Sequence, residues 1–390
     1  MVTLDLKQAG LSENPFRNIA PVDPAKVIWA DMTDVKNELD SIFREALITS
    51  ITQVVLNRGP FGGGKTHASR YYSLNNNLPP VKGKQVRSTL SLYTRVPKDP
   101  GKADQNFYIS LLESLKLNNI RNVIKEVIAT NGEAKSLELL QDHSGSEDIG
   151  LALWMYGNEE ESERIALLRS FLLSGLTKTE MRKLGLGRGI TTLEDRFKVL
   201  GTVFQSYIGF SQEENIQQHL RLILWIDEME DLIYFTSKQY RPFTQAIRDL
   251  IDRLPNYFTI FLNFTLAEPE ADEDIYIILG GAVKSRISNQ VYFKELNLLE
   301  AKSFVADLLA HFRSPETKNI KDSYYPFEEA TLDEILEGLV PRTPRNINIR
   351  CGNIINAAIQ DGVFSKGKER KITRDYVKSL DELRLNAEID

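Results

Sequence analysis

A single cysteine, Cys351, stands in a chain of 390 residues. One thiol closes no internal disulfide, so nothing here points to an oxidising compartment. Histidine is scarce as well. His67, His143, His219 and His311 share no metal-ligand spacing with one another or with Cys351, which argues against a structural zinc site. No apolar run approaches the roughly 20 residues that span a bilayer, so no membrane partner is expected. The opening MVTLDLKQAG has no cationic start leading into an apolar core, and no secretory leader is read there. Excess positive charge is lacking too: 48 Lys and Arg against 54 Asp and Glu leave a net charge of −6. That excludes a chain that coats nucleic acid by bulk charge, though not a local basic strip. Internal repeats and low-complexity tracts are absent. Together these absences place the expected protein in the cytoplasm.

What is present is ordinary globular composition, 42% apolar and 26% charged, at a length that suits two or three compact units. An irregular arm is expected over 1–30. A helix follows, capped by Asp31 or Thr33, with Val35, Leu39, Ile42, Phe43, Ala46 and Leu47 at helical spacing. Apolar, β-branched runs predict strands at Ile51–Asn57, Val86–Tyr93, Leu222–Ile226, Phe258–Phe264 and Gln290–Phe293. A helix fits Gln105 to Lys116, and the stretch from there to about Asn215 is helical in pattern. Past Leu298 everything is helical, with one apolar stripe at Ala301, Phe304, Val305, Leu308, Leu309 and Phe312. A second runs through Ile347, Cys351, Ile354, Ile355 and Ala358. Strands alternating with helices predict an α/β fold with a parallel sheet covered on both faces, followed by a smaller helical domain.

Between the first strand and the next helix lies Gly59-Pro60-Phe61-Gly62-Gly63-Gly64-Lys65-Thr66, with His67 after it. The pattern G-x4-G-K-T in a strand-to-helix turn is that of a phosphate-binding loop. Several backbone N–H groups must meet the phosphate oxygens together, and side chains would obstruct them, so glycine is required. The helix that follows offers its N-terminal N–H groups and positive dipole end. Lys65 is expected on the β- and γ-phosphates of ATP, and the Thr66 hydroxyl on Mg²⁺.

Leu222-Ile223-Leu224-Trp225-Ile226 ends in Asp227-Glu228. Ligands of α/β sheets bind at the carboxyl ends of strands. Asp227 is therefore a candidate to hold Mg²⁺, and Glu228 to polarise an attacking water. Glu230 and Asp231 read as solvated charges at a helix start.

In combination these segments resemble the AAA+ ATPases, in the branch that includes replication initiators, ExeA-like secretion ATPases and transposition regulators. Gly59–Thr66 is similar to Walker A, and Leu222–Glu228 to Walker B. Asn263, with Thr265 as its rival, resembles sensor 1. Lys284-Ser285-Arg286-Ile287 resembles the segment carrying the arginine finger. Pro344-Arg345-Asn346-Ile347-Asn348 resembles sensor 2, with Arg342 and Arg350 as alternatives to Arg345. Asn14-Pro15-Phe16 is similar to the arm that packs near adenine. The resemblance implies an ATP-hydrolysing P-loop NTPase with a 31–298 ATPase domain, a helical insertion over about 117–215, and a 299–390 lid. It implies a homo-oligomer, ring or filament, in which Arg286 acts on a neighbour's nucleotide. DNA and a protein partner are the other expected partners.

The insertion resembles that of BREX-type ATP-binding proteins of bacterial defence islands. Gly185-x-Gly187-x-Gly189 within it is no dinucleotide motif, since no strand precedes it. A winged-helix domain, which initiators carry after the lid, is not expected. Two basic strips, Lys82, Lys84, Arg87, Arg95, Lys98, Lys102 and Lys178, Arg182, Lys183, Arg188, could meet DNA or could be solvated faces. The functions in view are thus a DNA-acting ATPase of transposition or phage defence, an ATP-controlled switch on a protein partner, and, least well matched, a small-molecule P-loop kinase.

Overall fold

The computed structural model describes residues 5–17, 26–82, 86–210, 220–265, 272–317, 319–364, 370–381 and 385. Lys84, most of the Lys366–Lys371 segment and the end of the insertion at 211–215 lie outside them. In chain order the first elements are α1 (Thr33–Ile48), β1 (Gln53–Gly59), α2 (Lys65–Tyr72), β2 (Thr89–Arg95) and α3 (Ala103–Leu115). The insertion supplies α4 (Leu117–Asn131), α5 (Glu133–Ser144), α6 (Glu147–Asn158), α7 (Ser162–Leu172), α8 (Lys178–Lys183) and α9 (Leu193–Ile208). Then come β3 (Arg221–Asp227), α10 (Ser237–Arg253), β4 (Phe258–Thr265), α11 (Asp272–Lys284) and β5 (Asn289–Tyr292). The C-terminal helices are α12 (Leu298–His311), α13 (Glu329–Glu337), α14 (Pro344–Gln360) and α15 (Arg374–Ser379).

The chain divides into two compact units. One holds Leu39–Arg58 and Asn75–Val291; the other holds Met1–Glu38, Gly59–Leu74 and Tyr292–Asp390. The first unit is built on the five-stranded sheet, in the order β2-β3-β4-β1-β5. β2, β3 and β4 pair in parallel, with Leu222 opposite Leu90 and Phe258. This is the α/β fold class expected from the alternation of strands and helices. β3 is buried along its whole length and β4 nearly so, because helices cover both faces. On one face Trp225 stacks on Phe261 with centroids 3.8 Å apart, and Phe43 of α1 packs on Phe261 at 5.3 Å. On the other, Leu222, Leu224, Ile226, Ile260 and Leu262 belong to a cluster that includes α3, α9 and α10. That cluster runs on without a break into Leu140, Ile149, Tyr156 and Phe171, so the insertion shares the core of this unit. Phe107 carries the junction, stacked on Phe197 at 5.8 Å and edge-on to Phe243 at 5.1 Å.

Some boundaries differ from the sequence expectation. β1 begins at Gln53, since Ile51 is exposed in a lone antiparallel bridge to Asn256. β2 starts at Thr89 and not at Val86. The reason is Arg87, which is buried: it donates to the Ile208 carbonyl at 2.6 Å, and its guanidinium lies 3.6 Å from the centre of the Tyr257 ring. Arg87 therefore leaves the first basic strip.

In the second unit α12, α13 and α14 bury their apolar stripes together, including Val305, Leu309, Ile347, Cys351, Ile354 and Ile355. Burial pushes the Cys351 thiol up to about 12, leaving it an inert packing group. Phe16 of the arm is wholly buried and meets Phe327 edge-on at 6.5 Å. Asn14-Pro15-Phe16 is thus anchored to this unit through Phe16.

Replacing Phe261 with Ala should cost about 3–5 kcal/mol, read as a lower urea midpoint at unchanged slope. His143 gives a second expectation. Its Nε2 donates to the Arg253 carbonyl at 3.1 Å, and Arg253 Nη1 donates back to the His143 carbonyl at 2.8 Å, fixing α5 to the end of α10. Burial lowers its pKa from 6.5, as it also does for His67. The unfolded chain then takes up protons first. Stability from this source is complete above pH 6.5 and is lost as pH falls through the folded-state value. Urea midpoints should decline on acidification below pH 6.5, and less so in a His143→Gln variant.

Candidate functional site

Two groups of residues carry the candidate chemistry, one in each unit. The first is the glycine-rich loop. β1 runs straight into it, and Gly59, Gly62 and Gly64 have φ of 152°, 75° and 103°, a region that side chains strain. Packing demands glycine as well. A Cβ on Gly59 would lie 2.2 Å from the Phe293 carbonyl oxygen, and one on Gly62 would lie 2.5 Å from Arg345 Cβ. Lys65 is buried, and its ammonium donates to the Gly59 and Pro60 carbonyls at 2.8 and 2.9 Å. Gly64 precedes α2 and, having no side chain, provides no cap in front of the helix N-terminus. The residues fit a phosphate chain: a cradle free of side chains, a helix N-terminus, a lysine, and the hydroxyl of Thr66 at the second helical position.

Arg345 belongs to this group. Its backbone N–H donates to the Gly62 carbonyl at 3.3 Å, and its guanidinium lies 4.6 Å from the centre of the exposed Phe61 ring. Its rivals lie elsewhere. Arg342 bonds Glu295 and the Leu296 carbonyl, and Arg350 lines a cavity between α13, α14 and α15. His67 turns its ring to the arm, with Nε2 2.7 Å from the Ile28 carbonyl and Trp29 6.3 Å away. Its side chain is structural, so only its backbone remains available to a nucleotide.

The second group lies at the strand ends. Asp227 is 4% exposed and accepts from Tyr93 Oη at 2.8 Å, Asn263 Nδ2 at 3.3 Å and the Glu228 N–H at 3.1 Å. Asn263 Oδ1 in turn accepts from Asn57 Nδ2 at 2.9 Å, and both asparagines are fully buried. Thr265 is engaged differently, its N–H donating to Glu230 at 2.9 Å. Of the two sensor 1 candidates, Asn263 is the one joined to Asp227. Glu230 also departs from expectation: it ties down the end of β4 and is not a free solvated charge.

Glu228 has φ of 57° and ψ of 37°, a left-handed conformation that costs a non-glycine residue about 1–3 kcal/mol. Its carboxylate pairs with Arg95 at 3.4 Å, while Arg95 Nε donates to Tyr93 Oη at 3.0 Å. Burial and the neighbouring Asp227 push the Tyr93 hydroxyl up to about 12, so it stays a donor at neutral pH. Its hydrogen bond is the largest reason that the pKa of Arg95 is raised. Neither Tyr93 nor Asn57 was singled out from the sequence, and Arg95 was read only as part of a basic strip. Their one available signal was position: polar residues near the carboxyl ends of strands.

Arg286 makes a bidentate pair with Asp252, both contacts at 2.6 Å, and donates to the Ala282 carbonyl. Its guanidinium is thus engaged within its own chain. No group of three or more His, Cys, Asp or Glu residues suited to a metal occurs among the described residues. Oxygen donors such as the Asp227 carboxylate and the Thr66 hydroxyl suit Mg²⁺, an ion that takes few protein ligands and keeps phosphate and water ligands.

No protein-family model matches the chain, and no curated protein matches it. Solved structures with some likeness include the Walker-type ATPase PABY2304 of Pyrococcus abyssi, 14% identical, over 90% of this chain and 73% of that one, at a TM-score of 0.42. The Orc1 protein of Aeropyrum pernix, solved in complex with DNA, is 10% identical over 92% and 66%, at 0.43. PCH-2 of C. elegans is 13% identical over 90% and 67%, at 0.39.

Three outcomes are expected here. Gly62→Ala should weaken binding of an ATP analogue at least about tenfold by calorimetry, because it meets both Arg345 and an unfavourable φ. Tyr93→Phe removes a hydrogen bond to a buried carboxylate and should lower stability by about 1.5–3 kcal/mol in urea unfolding. Arg95→Ala, at a mostly exposed pair, should cost no more than about 1 kcal/mol.

Proposed function

We propose that this chain binds and hydrolyses ATP as an AAA+ protein. It acts as a nucleotide-controlled homo-oligomer on DNA with partner proteins, in mobile-element transposition or phage defence. The observation that carries the reading is the glycine-rich loop, with its enforced positive-φ glycines and its buried lysine at the start of α2. The arm at 1–30, the ATPase domain at 31–298 and the helical lid at 299–390 are the proposed functional divisions.

In this reading Lys65 and the loop amides bind the phosphates, and Arg345 answers the charge of the γ-phosphate from the lid. Thr66 and Asp227 are each proposed as oxygen donors to Mg²⁺, which would supply neutralisation of phosphate charge. Asn263, fixed by Asn57 on one side and Asp227 on the other, orients the attacking water. Glu228 takes its proton, and the left-handed backbone with the Arg95 pair sets where its carboxylate points. Arg286 acts on a neighbouring subunit's nucleotide, which requires that it exchange Asp252 for phosphate oxygens. The oxygens of Asp252 make a fair substitute for them, since both partners suit a bidentate guanidinium.

A second reading is an ATP-dependent switch on a protein partner without nucleic acid. Three exposed apolar side chains favour it: Ile233 and Tyr234 in the turn after Glu228, and Ile277 on α11. Turnover measured with and without duplex DNA separates the two, because only the first expects stimulation.

Glu228→Gln should keep ATP affinity and lose about 10²–10⁴-fold in turnover. Arg286→Ala should bind ATP yet lose about 10³-fold or more. Mixing the two variants should restore part of the activity, since one supplies the arginine and the other the base. Absence of recovery at every ratio would remove the trans role of Arg286.

A further inference from the structure

Between Leu117 and Thr192 the insertion carries nine cations, and six of them are neutralised or bonded locally. Arg121 and Lys125 meet Glu160, Lys135 meets Glu138, and Arg164 meets Glu159. Arg169 bonds the Tyr156 hydroxyl and Asn118, and Arg188 pairs with the buried Asp195 at 2.8 Å. The remaining three are Lys178, Arg182 and Lys183, all on α8 and all exposed. Among the described residues they make no ion pair and no side-chain hydrogen bond. The acid within the same helix does not compensate them fully. Glu180 is committed to the helix start, accepting from the Thr177 N–H at 2.8 Å and the Thr177 hydroxyl at 2.7 Å.

The segment after α8 holds that charge in a fixed place. Leu184, Leu186 and Ile190 are buried in the core, so the alternate residues face outward. The Gly187 and Arg188 N–H groups donate to the Asp148 carboxylate at 2.9 and 3.1 Å. Gly185 is exposed, and a Cβ there would meet nothing within 4 Å. The result is a clamped, basic protrusion with bare backbone on an otherwise acidic chain.

Resting on the DNA reading above, we propose that α8 and the Gly185–Gly189 loop form a sequence-independent contact to the phosphate backbone of duplex DNA. An acidic protein surface is the less suitable occupant. Stable protein interfaces are centred on buried apolar or aromatic anchors, and no exposed large apolar side chain lies between Leu117 and Phe210 among the described residues. Exposed lysines and arginine in no ion pair, with only Lys183 near the Glu180 charge, suit phosphates, which are bound by charge and carry no sequence information.

The test uses the full chain with ATP analogue and a labelled duplex of arbitrary sequence, titrated across a salt series. Binding by the parent protein should fall linearly on logarithmic axes. The Lys178→Gln, Arg182→Gln, Lys183→Gln triple variant should lose about tenfold or more in affinity. Its salt slope should be shallower by about 2 to 3, close to one unit per lost phosphate contact. Lys125→Gln, at a cation that already has a partner, should change little. Nucleotide affinity and urea midpoint, measured in parallel, confirm that the triple variant is folded. Parent binding with an unchanged triple variant overturns the α8 contact and leaves the DNA reading standing. No duplex binding by the parent at any salt overturns both. Equal retention of poly-glutamate by the same three residues overturns the assignment to nucleic acid.

Discussion

Backbone amides can surround a phosphate only where no side chain stands in front of them. That constraint explains the loop from Gly59 to Thr66 better than any single bond does. Gly59 and Gly62 are needed twice, once for a left-handed backbone and once because a methyl group would collide with Phe293 or Arg345. The loop is closed around Lys65, whose ammonium donates to the Gly59 and Pro60 carbonyls. Because Arg345 packs on the same glycine, any movement of α14 is felt by the loop.

The strand ends meet a different problem, the burial of a carboxylate. Asp227 is kept by donors from three neighbours: Tyr93 on β2, Asn263 on β4 and the N–H of Glu228. Asn57 on β1 extends the array, and its own Oδ1 is buried without a hydrogen-bond partner among the described residues. Four adjacent strands therefore share one polar network, at the end of the sheet where α/β proteins place their ligands. Such a network is costly to leave half-satisfied, which gives the sheet a single register at this end.

Legibility from sequence followed the range of the physics. The strand-to-helix turn at Gly59–Thr66 depends on local backbone geometry, so its glycines could be read directly. The strand ending in Asp227-Glu228 was equally plain, since full burial leaves a continuous apolar run. The apolar stripes of α12 and α14 were read correctly for the same reason. Arg87 was misread because its burial is decided by Tyr257 and Ile208, residues remote in the chain. Tyr93 went unnoticed and Arg95 was read only as a surface cation, because their contacts come from strand pairing, which sets Tyr93 opposite Trp225 and Arg95 opposite Asp227. Glu230 looked like a solvated acid until its acceptor role at Thr265 was visible. Alternation put Asn263 and Thr265 on the same footing; in the structure only Asn263 bonds Asp227, while the Thr265 N–H bonds Glu230.

The central claim is that the Gly59–Thr66 loop binds the triphosphate and that Lys65 is indispensable to it. Calorimetric titration of the full chain with a slowly hydrolysed ATP analogue and Mg²⁺ tests this most directly, comparing the parent with Lys65→Ala. Saturable binding by the parent and none by the variant, with both folded by urea unfolding, is the expected result. Equal affinity in the two proteins would contradict the account.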